Sequence, residues 1–225
     1  RSTADMSDMM SGERELAAVP DRVAHAGETE PVLSARNLVS GDAGTRGSVA
    51  IESLQVRAGE IVGIAGISGN GQTRLVELIS GQARPDGGEI RVKGKAYDAS
   101  RAAAQALKVR CLPEEPLRNA CVGKMSVAEN LAFRAFDRAP DGKPRRLLDK
   151  SGMRREAERL IAAYAVKTQS PSARIETLSG GNVQRAVLAR ELSGETDLLV
   201  AANPCFGLDF GAVADIRAQI LKARN

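Results

Sequence analysis

Tryptophan is absent from the 225 residues, and aromatic residues make up only 3% of the chain. A nucleic-acid surface that stacks bases on aromatic rings is therefore disfavoured. No apolar run approaches the roughly 20 residues that a membrane-spanning helix needs. The first residues also lack the pattern of a secretory signal, in which positive charges are followed by an apolar segment. These absences direct attention to glycine-rich motifs rather than to aromatic or membrane-inserted ones.

Cysteine and histidine are also scarce. Cys111, Cys121 and Cys205 have no metal-ligand spacing, and their odd number predicts free thiols in a reducing cytosol. His25 is the only histidine, and it lies in the polar stretch 17–30 without a carboxylate or serine partner at a recognisable spacing. We interpret it as a solvated linker residue.

The composition is that of a globular protein with one sizeable core, at 43% hydrophobic and 27% charged residues. The net charge of +4 is dispersed along the chain. This charge is equally compatible with binding of phosphate ligands, with binding of anionic lipid headgroups and with no specific partner.

The most informative stretch is the glycine-rich segment Gly66–Thr73 (GISGNGQT). The apolar run Ile61–Ala65 before it predicts a buried strand, and the apolar spacing that starts at Leu75 predicts a helix after it. Strand, glycine loop and helix form the context of a phosphate loop, whose backbone N–H groups converge on phosphate oxygens. Thr73 occupies the position whose hydroxyl contacts Mg²⁺. Gln72 stands where such a loop has a lysine, so the loop keeps its shape and loses its charge.

The remaining pattern predicts an α/β protein with an insertion. Residues 113–177 change in character, with a capping box at Ser126 and Glu129 and an amphipathic helix over 154–164. The clustered arginines in this insertion are interpreted as a solvated face. Further strands are predicted at 32–38, 49–56, 89–92, 109–112 and 198–202, and further helices at 100–107, after Gln184 and over 213–221.

A second motif, Leu178–Asn182 (LSGGN, followed by Val183 and Gln184), precedes the helix after Gln184. We call it the LSGGN segment. The order of phosphate loop, helical insertion, LSGGN segment, apolar strand, Pro204 and Leu208-Asp209 resembles that of ATP-binding cassette (ABC) ATPases over residues 31–225. The LSGGN variant resembles tandem-cassette importers for simple sugars and nucleosides, with the nucleoside branch the closer likeness.

The resemblance implies a P-loop NTPase fold of the ABC type, with a small N-terminal antiparallel β subdomain and an inserted helical subdomain at about 113–177. Residues 6–15 resemble the tail of a first cassette, so residues 1–30 are expected to be that tail and a linker. The expected cassette, 31–225, would be the second of the tandem. It would end before the strand of the switch histidine, so the C-terminal part of the cassette would be missing.

The resemblance also implies which residues bind nucleotide. Asp209 matches the aspartate that contacts the other cassette. Ser179, Gly180 and Gly181 match the residues that bind a γ-phosphate in the family. Glu114 stands where the family has a glutamine that senses Mg²⁺. The chain has no aromatic residue before Tyr97, so the ring that usually stacks on adenine is absent. The expected nucleotide-binding residues are Gly66, Ser68, Gly69, Asn70, Gly71, Gln72, Thr73 (with weak Mg²⁺ binding), Arg74 and Glu114, and the expected signature residues are Leu178, Ser179, Gly180, Gly181, Asn182 and Gln184.

Three positions depart from the family pattern in ways that reduce catalysis. Gln72 loses a charge-assisted hydrogen bond of about 1.5–3 kcal/mol. Asn203 replaces the glutamate that acts on the attacking water, and a general base contributes roughly 10²–10⁴-fold. Ala202 replaces the Mg²⁺-organising aspartate, a loss of roughly 10–100-fold. Arg74 does not replace the lysine, because two residues along a helix its side chain points about 200° away.

We therefore expect no catalytic residue in this chain and weak binding of ATP and Mg²⁺. The intact LSGGN segment is expected to complete the site of the first cassette of the same polypeptide. The other expected partners are transmembrane permease subunits and, indirectly, an extracytoplasmic solute-binding protein, but no nucleic acid. The expected location is the cytoplasmic face of the cell membrane, as a peripheral protein.

Two other functions remain open from the sequence. One is a soluble ABC-type ATPase that acts on ribosomes or DNA, against which the missing basic tract and the LSGGN variant argue. The other is a purely structural cassette that no longer binds ATP.

Overall fold

A computed structural model describes residues 30–42, 44–137 and 143–224. The expected tail and linker of residues 1–30 lie outside these residues, apart from Glu30. The described chain forms two compact units. The first, the sheet unit, comprises residues 30–113 and Glu195–Ala202 together with Arg224. The second, the helical unit, comprises Glu114–Gly194 and 203–223.

The sheet unit contains a four-stranded antiparallel sheet in the order β2-β1-β3-β4. Leu33 of β1 lies opposite Val56 of β2 and Val92 of β3. Buried and less buried residues alternate along β1 on either side of a register shift between Arg36 and Val39, as expected for a sheet with one buried face. The strands are β1 (Leu33–Ser40), β2 (Val49–Val56), β3 (Gly87–Val92) and β4 (Lys95–Ala96).

A parallel pair of strands and two helices complete the sheet unit. Strand β5 (Val109–Leu112) pairs in parallel with β6 (Leu198–Ala201). Helix α1 (Gln72–Ser80) buries the apolar residues that the sequence pattern places on one face, and α2 (Arg101–Ala106) begins at the cap Ser100. The buried side chains of α1 join one core with those of β1, β3 and β5.

The strand predicted at Ile61–Ala65 is not present. These residues form no regular secondary structure, and Ile61 and Ile64 are 55% and 56% exposed. The prediction was wrong because a strand needs neighbouring backbone for its ladder hydrogen bonds. Among the described residues, no strand pairs with this run. An apolar run predicts that a segment can be buried, whereas its partners decide whether it is.

The helical unit consists of five helices and two short 3₁₀ turns among its described residues. Ser126 and Glu129 form the predicted capping box, and Asp149 caps a later helix by accepting from Gly152 N at 2.8 Å. The helices are α3 (Pro116–Asn119), α4 (Val127–Leu131), α5 (Lys150–Ala163), α6 (Gly180–Leu192) and α7 (Phe210–Arg224, of which Arg224 groups with the sheet unit), and the 3₁₀ turns are Ala132–Arg134 and Ile175–Thr177.

Helix α6 is the centre of the helical unit, because most of its residues are buried. It carries a buried ion network in which Glu191, fully buried, accepts from Arg134 Nη2 at 2.6 Å and from Arg190 Nε at 2.8 Å. Arg190 also donates to the backbone carbonyl of Ala120 and lies 5.5 Å from the ring centroid of Phe133. These contacts join the C-terminal end of α6 to the segment before α4 and to the 3₁₀ turn after α4.

None of the helices in the described residues combines the length and the apolar character that crossing a membrane requires.

Candidate functional site

The glycine loop lies in the sheet unit, directly before α1. Gly69 and Gly71 both have φ of 93°, in the left-handed region that glycine adopts without strain. Gly71 is the N-cap of α1, and a Cβ there would overlap the backbone carbonyl oxygen of Ser48. Asn70 N donates to Ile67 O at 3.2 Å, which closes the loop. The structure therefore has a tight glycine turn directly before α1, although the strand before the turn is not present.

Gln72 turns back onto this loop. Its Nε2 donates to Ile67 O at 3.1 Å, and a Cβ on Gly66 would lie 2.5 Å from the same nitrogen. The neutral amide therefore occupies the space beneath the loop. Thr73, beside it, is exposed.

Arg74 is held away from the loop by side-chain partners. Its Nε donates to the buried Ser40 Oγ at 2.8 Å, and its Nη1 pairs with Glu77 at 3.1 Å. Ser40 ends β1, so these contacts connect β1 with α1. Although Arg74 is among the predicted nucleotide-binding residues, its guanidinium is thus engaged within the sheet unit.

The LSGGN segment lies in the helical unit, at the start of α6. Ser179 is the N-cap of α6 and is exposed. Asn182 Nδ2 donates to Ser179 Oγ at 2.8 Å, while its Oδ1 accepts from the backbone N–H of Lys167 at 2.7 Å. Because Asn182 occupies a lone pair of the serine oxygen, the serine proton is left to donate to an acceptor.

A cavity of about 630 Å³ lies beside the LSGGN segment. Its lining is rich in hydroxyl, amide and cationic groups, which suit an anionic ligand. Gly181, in contrast, packs inward, and a Cβ there would lie 3.5 Å from the Ala212 methyl. The lining includes Lys167, Thr168, Gln169, Arg174, Thr177, Ser179 and Asn182.

The structure brings together two of the positions at which the sequence departs from the family. Asn203, with φ of 45°, donates from Nδ2 to Glu114 Oε1 at 2.9 Å. The carboxylate and the amide therefore stand as a hydrogen-bonded pair, with the carboxylate on Glu114. The sequence identified Glu114 and Asn203 as departures from the family pattern. It could not predict the hydrogen bond between them, because 89 positions separate the two residues.

The neighbouring predicted residues take structural roles. The methyl side chain of Ala202 offers no metal ligand, and its N–H donates to Leu112 O at 2.9 Å, one step beyond the β5-β6 ladder. Gln184 is buried and donates to the carbonyl of Pro204 at 2.8 Å. Asp209 Oδ1 accepts from Ala212 N at 2.8 Å, so it caps α7.

The residues present fit the phosphate part of a nucleotide better than they fit Mg²⁺. The glycine loop exposes backbone at a helix N-terminus, where the helix dipole favours an anion. For Mg²⁺, which prefers oxygen ligands, Thr73 provides a hydroxyl and Ala202 provides none. In the described residues, no cluster of histidine, cysteine and acidic side chains could hold a metal ion.

The cysteines take no part in these sites. Cys111 is buried, and burial raises the pKa of the Cys121 thiol to about 11. A thiol that is protonated at neutral pH is a poor nucleophile. No disulfide bond joins the three cysteines among the described residues.

A family model described as "ABC transporter" matches residues 50–205. The chain belongs to the ABC transporter family. The match includes the glycine loop, the helical insertion, the LSGGN segment and strand β6, which are the motifs on which the resemblance depended.

Several similar proteins are named as ATP-binding proteins of importers. The chain is 41% identical over 234 residues to a glucose import ATP-binding protein of Haloferax volcanii, which matches 100% of the chain and 41% of the relative. It is 34% identical to a nucleoside import ATP-binding protein of Lactococcus lactis, with 100% and 44% covered. A ribose import ATP-binding protein of Rubrobacter xylanophilus is 35% identical over 209 residues, with 92% and 40% covered. The chain thus spans less than half of the length of these relatives.

Solved structures agree on the fold. A nucleotide-free ATP-binding cassette from an ABC transporter matches with a TM-score of 0.70 at 20% identity, covering 87% of this chain and 78% of that one. The post-hydrolysis dimer of the cassette MJ0796, with ADP and phosphate bound, matches with a TM-score of 0.69 at 17% identity, covering 86% and 83%. The prediction of an ABC-type α/β fold with an antiparallel β subdomain and a helical part is confirmed.

Proposed function

We propose that this chain is the second cassette of a tandem-cassette ABC importer for simple sugars or nucleosides. Three observations support the proposal. Three similar proteins are named as import ATP-binding proteins for glucose, nucleosides and ribose. The chain spans 41% and 44% of two of them, which is the share expected of one cassette in a pair. Residues 6–15 resemble the end of a preceding cassette.

In this proposal the cassette's own site binds Mg-ATP weakly and hydrolyses it near the background rate. Gln72 is neutral and donates to the loop carbonyl Ile67 O. Asn203 cannot accept a proton at neutral pH, and its amide is bound to Glu114. Ala202 removes the aspartate that would organise the metal. A site without its cation, base and metal partner loses several of the contributions that make hydrolysis fast.

The hydrogen bond from Asn182 Nδ2 to Ser179 Oγ is the observation that best supports a role for this chain in the partner cassette's ATP site. It orients an exposed serine hydroxyl at a helix N-terminus, with the proton free to donate to an anion. We infer that Ser179 and Gly180 bind the γ-phosphate of ATP held by the phosphate loop of the first cassette. The chain would then be necessary for hydrolysis that takes place on its partner's residues.

The proposed assembly contains further partners. The first cassette of the same polypeptide supplies the other half of the hydrolytic site, and permease subunits span the membrane. A solute-binding protein on the other side delivers the sugar or nucleoside. The cassette pair would then lie on the cytoplasmic face of the membrane as a peripheral component.

The test is the substitution Ser179→Ala in the full-length protein, with steady-state ATP turnover as the measurement. Loss of a hydrogen bond made to the transition-state charge reduces turnover by roughly 10²–10³-fold. Ser172→Ala is the matched control, because Ser172 is an exposed serine of the same unit outside the cavity. Turnover of the Ser179 variant at the level of the Ser172 variant would contradict the proposal.

A further inference from the structure

The glycine loop has a cation beside it that the sequence pattern does not reveal. Arg46 lies in the turn between β1 and β2, and a Cβ built on Gly69 would lie 2.8 Å from Arg46 Nε and 3.2 Å from Nη2. The guanidinium is therefore packed against the outer part of the loop. Arg46, Ser68 and Asn70 line the same cavity of about 510 Å³.

This guanidinium is exposed and makes no ion pair with any residue that the structure describes. That sets it apart from Arg74, whose charge is matched by Glu77 and whose Nε is taken by Ser40. An arginine fork presents N–H donors in the geometry that fits phosphate oxygens, and its charge persists at all physiological pH values. Arg46 is thus a cation with unused donors at the edge of a phosphate loop.

The turn that carries Arg46 is fixed on both sides. Thr45 N donates to Asp42 O at 3.0 Å, and Ser48 Oγ donates to Thr45 O at 2.8 Å. Gly41 N is bound by Asp86 Oδ2 at 2.8 Å, and the carbonyl of Ser48 packs against Gly71 at the start of α1. Hydrogen bonds and close packing therefore fix the position of the Arg46 backbone relative to the glycine loop.

We propose that Arg46 supplies the positive charge that Gln72 does not, and that it binds the phosphate tail of a nucleoside di- or triphosphate held by Ser68–Gly71. This inference rests on nucleotide binding at this loop, which is part of the proposed function, but it does not depend on the role of Ser179. It assigns the loop a binding role that survives the loss of hydrolysis.

The test measures nucleotide binding at this site in the full-length protein. The photoreactive analogue 8-azido-ATP is crosslinked, and peptides from the sheet unit are separated from those of the rest of the protein. Unlabelled Mg-ATP competes, and its concentration at half-maximal labelling is compared between variants. Arg46→Ala should raise this concentration roughly 10- to 100-fold, as expected for loss of a charge-assisted hydrogen bond. Arg46→Lys, which keeps the charge, should raise it by less.

Two further variants separate charge from folding. Arg57→Ala removes another exposed arginine of the sheet unit, next to the end of β2, and should leave labelling unchanged. Gln72→Lys added to Arg46→Ala should restore most of the affinity, because it returns a cation to the same phosphates from the other side.

Each outcome decides the inference. Labelling by Arg46→Ala equal to that of Arg57→Ala would overturn it, as would absence of labelling in the unsubstituted sheet unit. Loss of labelling that Gln72→Lys does not restore would mean that Arg46 acts on folding, and would overturn it too. The proposed supply of Ser179 to the other cassette fails by a different result, undiminished turnover of the Ser179 variant.

Discussion

Glu191 offers the sharpest test of how the helical unit is held together. Its carboxylate is fully buried, and Oε2 accepts hydrogen bonds from Nε and Nη2 of Arg134 at 3.1 and 2.6 Å. Arg190, 7% exposed, donates to Oε1 at 2.8 Å. We consider the substitution Glu191→Gln, which keeps the shape of the side chain and removes its charge.

The magnitude follows from burial. Removing one member of a buried ion pair costs about 3–5 kcal/mol, because the remaining charge is left without compensation. The Arg134 side chain is 32% exposed, so water recovers part of this loss, and the glutamine oxygen still accepts one hydrogen bond. We therefore expect Glu191→Gln to lower the free energy of unfolding by about 2–3 kcal/mol.

The measurement is urea unfolding followed by far-ultraviolet circular dichroism. With a denaturant slope of about 1–3 kcal/mol per molar urea, the midpoint should fall by roughly 1 M. Glu156→Gln on α5 is the matched control, since its partner Arg159 lies 2.6 Å away but both side chains are more than half exposed. That surface pair should contribute less than about 1 kcal/mol. Equal midpoint shifts for the two variants would refute the argument that burial makes the Glu191 network stabilising.

Two further substitutions test local contacts. Tyr97→Phe removes the buried hydrogen bond from Tyr97 Oη to the Ile79 carbonyl at 2.8 Å, and it should lower the free energy of unfolding by about 1 kcal/mol; an unchanged thermal midpoint would contradict this. Glu129→Gln tests the capping box, where hydrogen bonds from the Ser126 backbone and hydroxyl lower the pKa of the Glu129 carboxyl. A lowered pKa means that this carboxylate stabilises the fold above its usual pKa and loses that effect as the pH falls through the lowered value. The difference in unfolding midpoint between wild type and Glu129→Gln should therefore be present near neutral pH and vanish in strong acid, and a difference independent of pH would contradict it.

Local features of the fold could be predicted from the sequence because local contacts create them. The capping box of Ser126 and Glu129 lies within four residues, and the apolar spacing from Leu75 fixes the buried face of α1. The turn at Gly71 requires a positive φ that glycine provides. Each of these elements is determined by residues within one or two helical turns, so a pattern alone identifies it.

Features that depend on distant partners could not be predicted. The run Ile61–Ala65 has the composition of a buried strand, but its exposure follows from the absence of a pairing strand in the described residues. The hydrogen bond between Asn203 and Glu114 joins positions 89 residues apart. Arg46 precedes Gln72 by a strand and a loop, so a search for a replacement cation near the motif finds Arg74 first. The sequence feature that could have indicated this cation is Arg46 itself, which lies between Gly44 and Gly47 in the turn before the glycine loop.

We propose that this cassette completes a hydrolytic site in its partner, while its own site does not turn ATP over. The most direct measurement counts the ADP formed by the full-length protein in the first turnover, by rapid quenching after saturation with Mg-ATP. The substitutions at Gln72, Ala202 and Asn203 predict one ADP per polypeptide. Two ADP per polypeptide, formed at the same rate, would contradict the account.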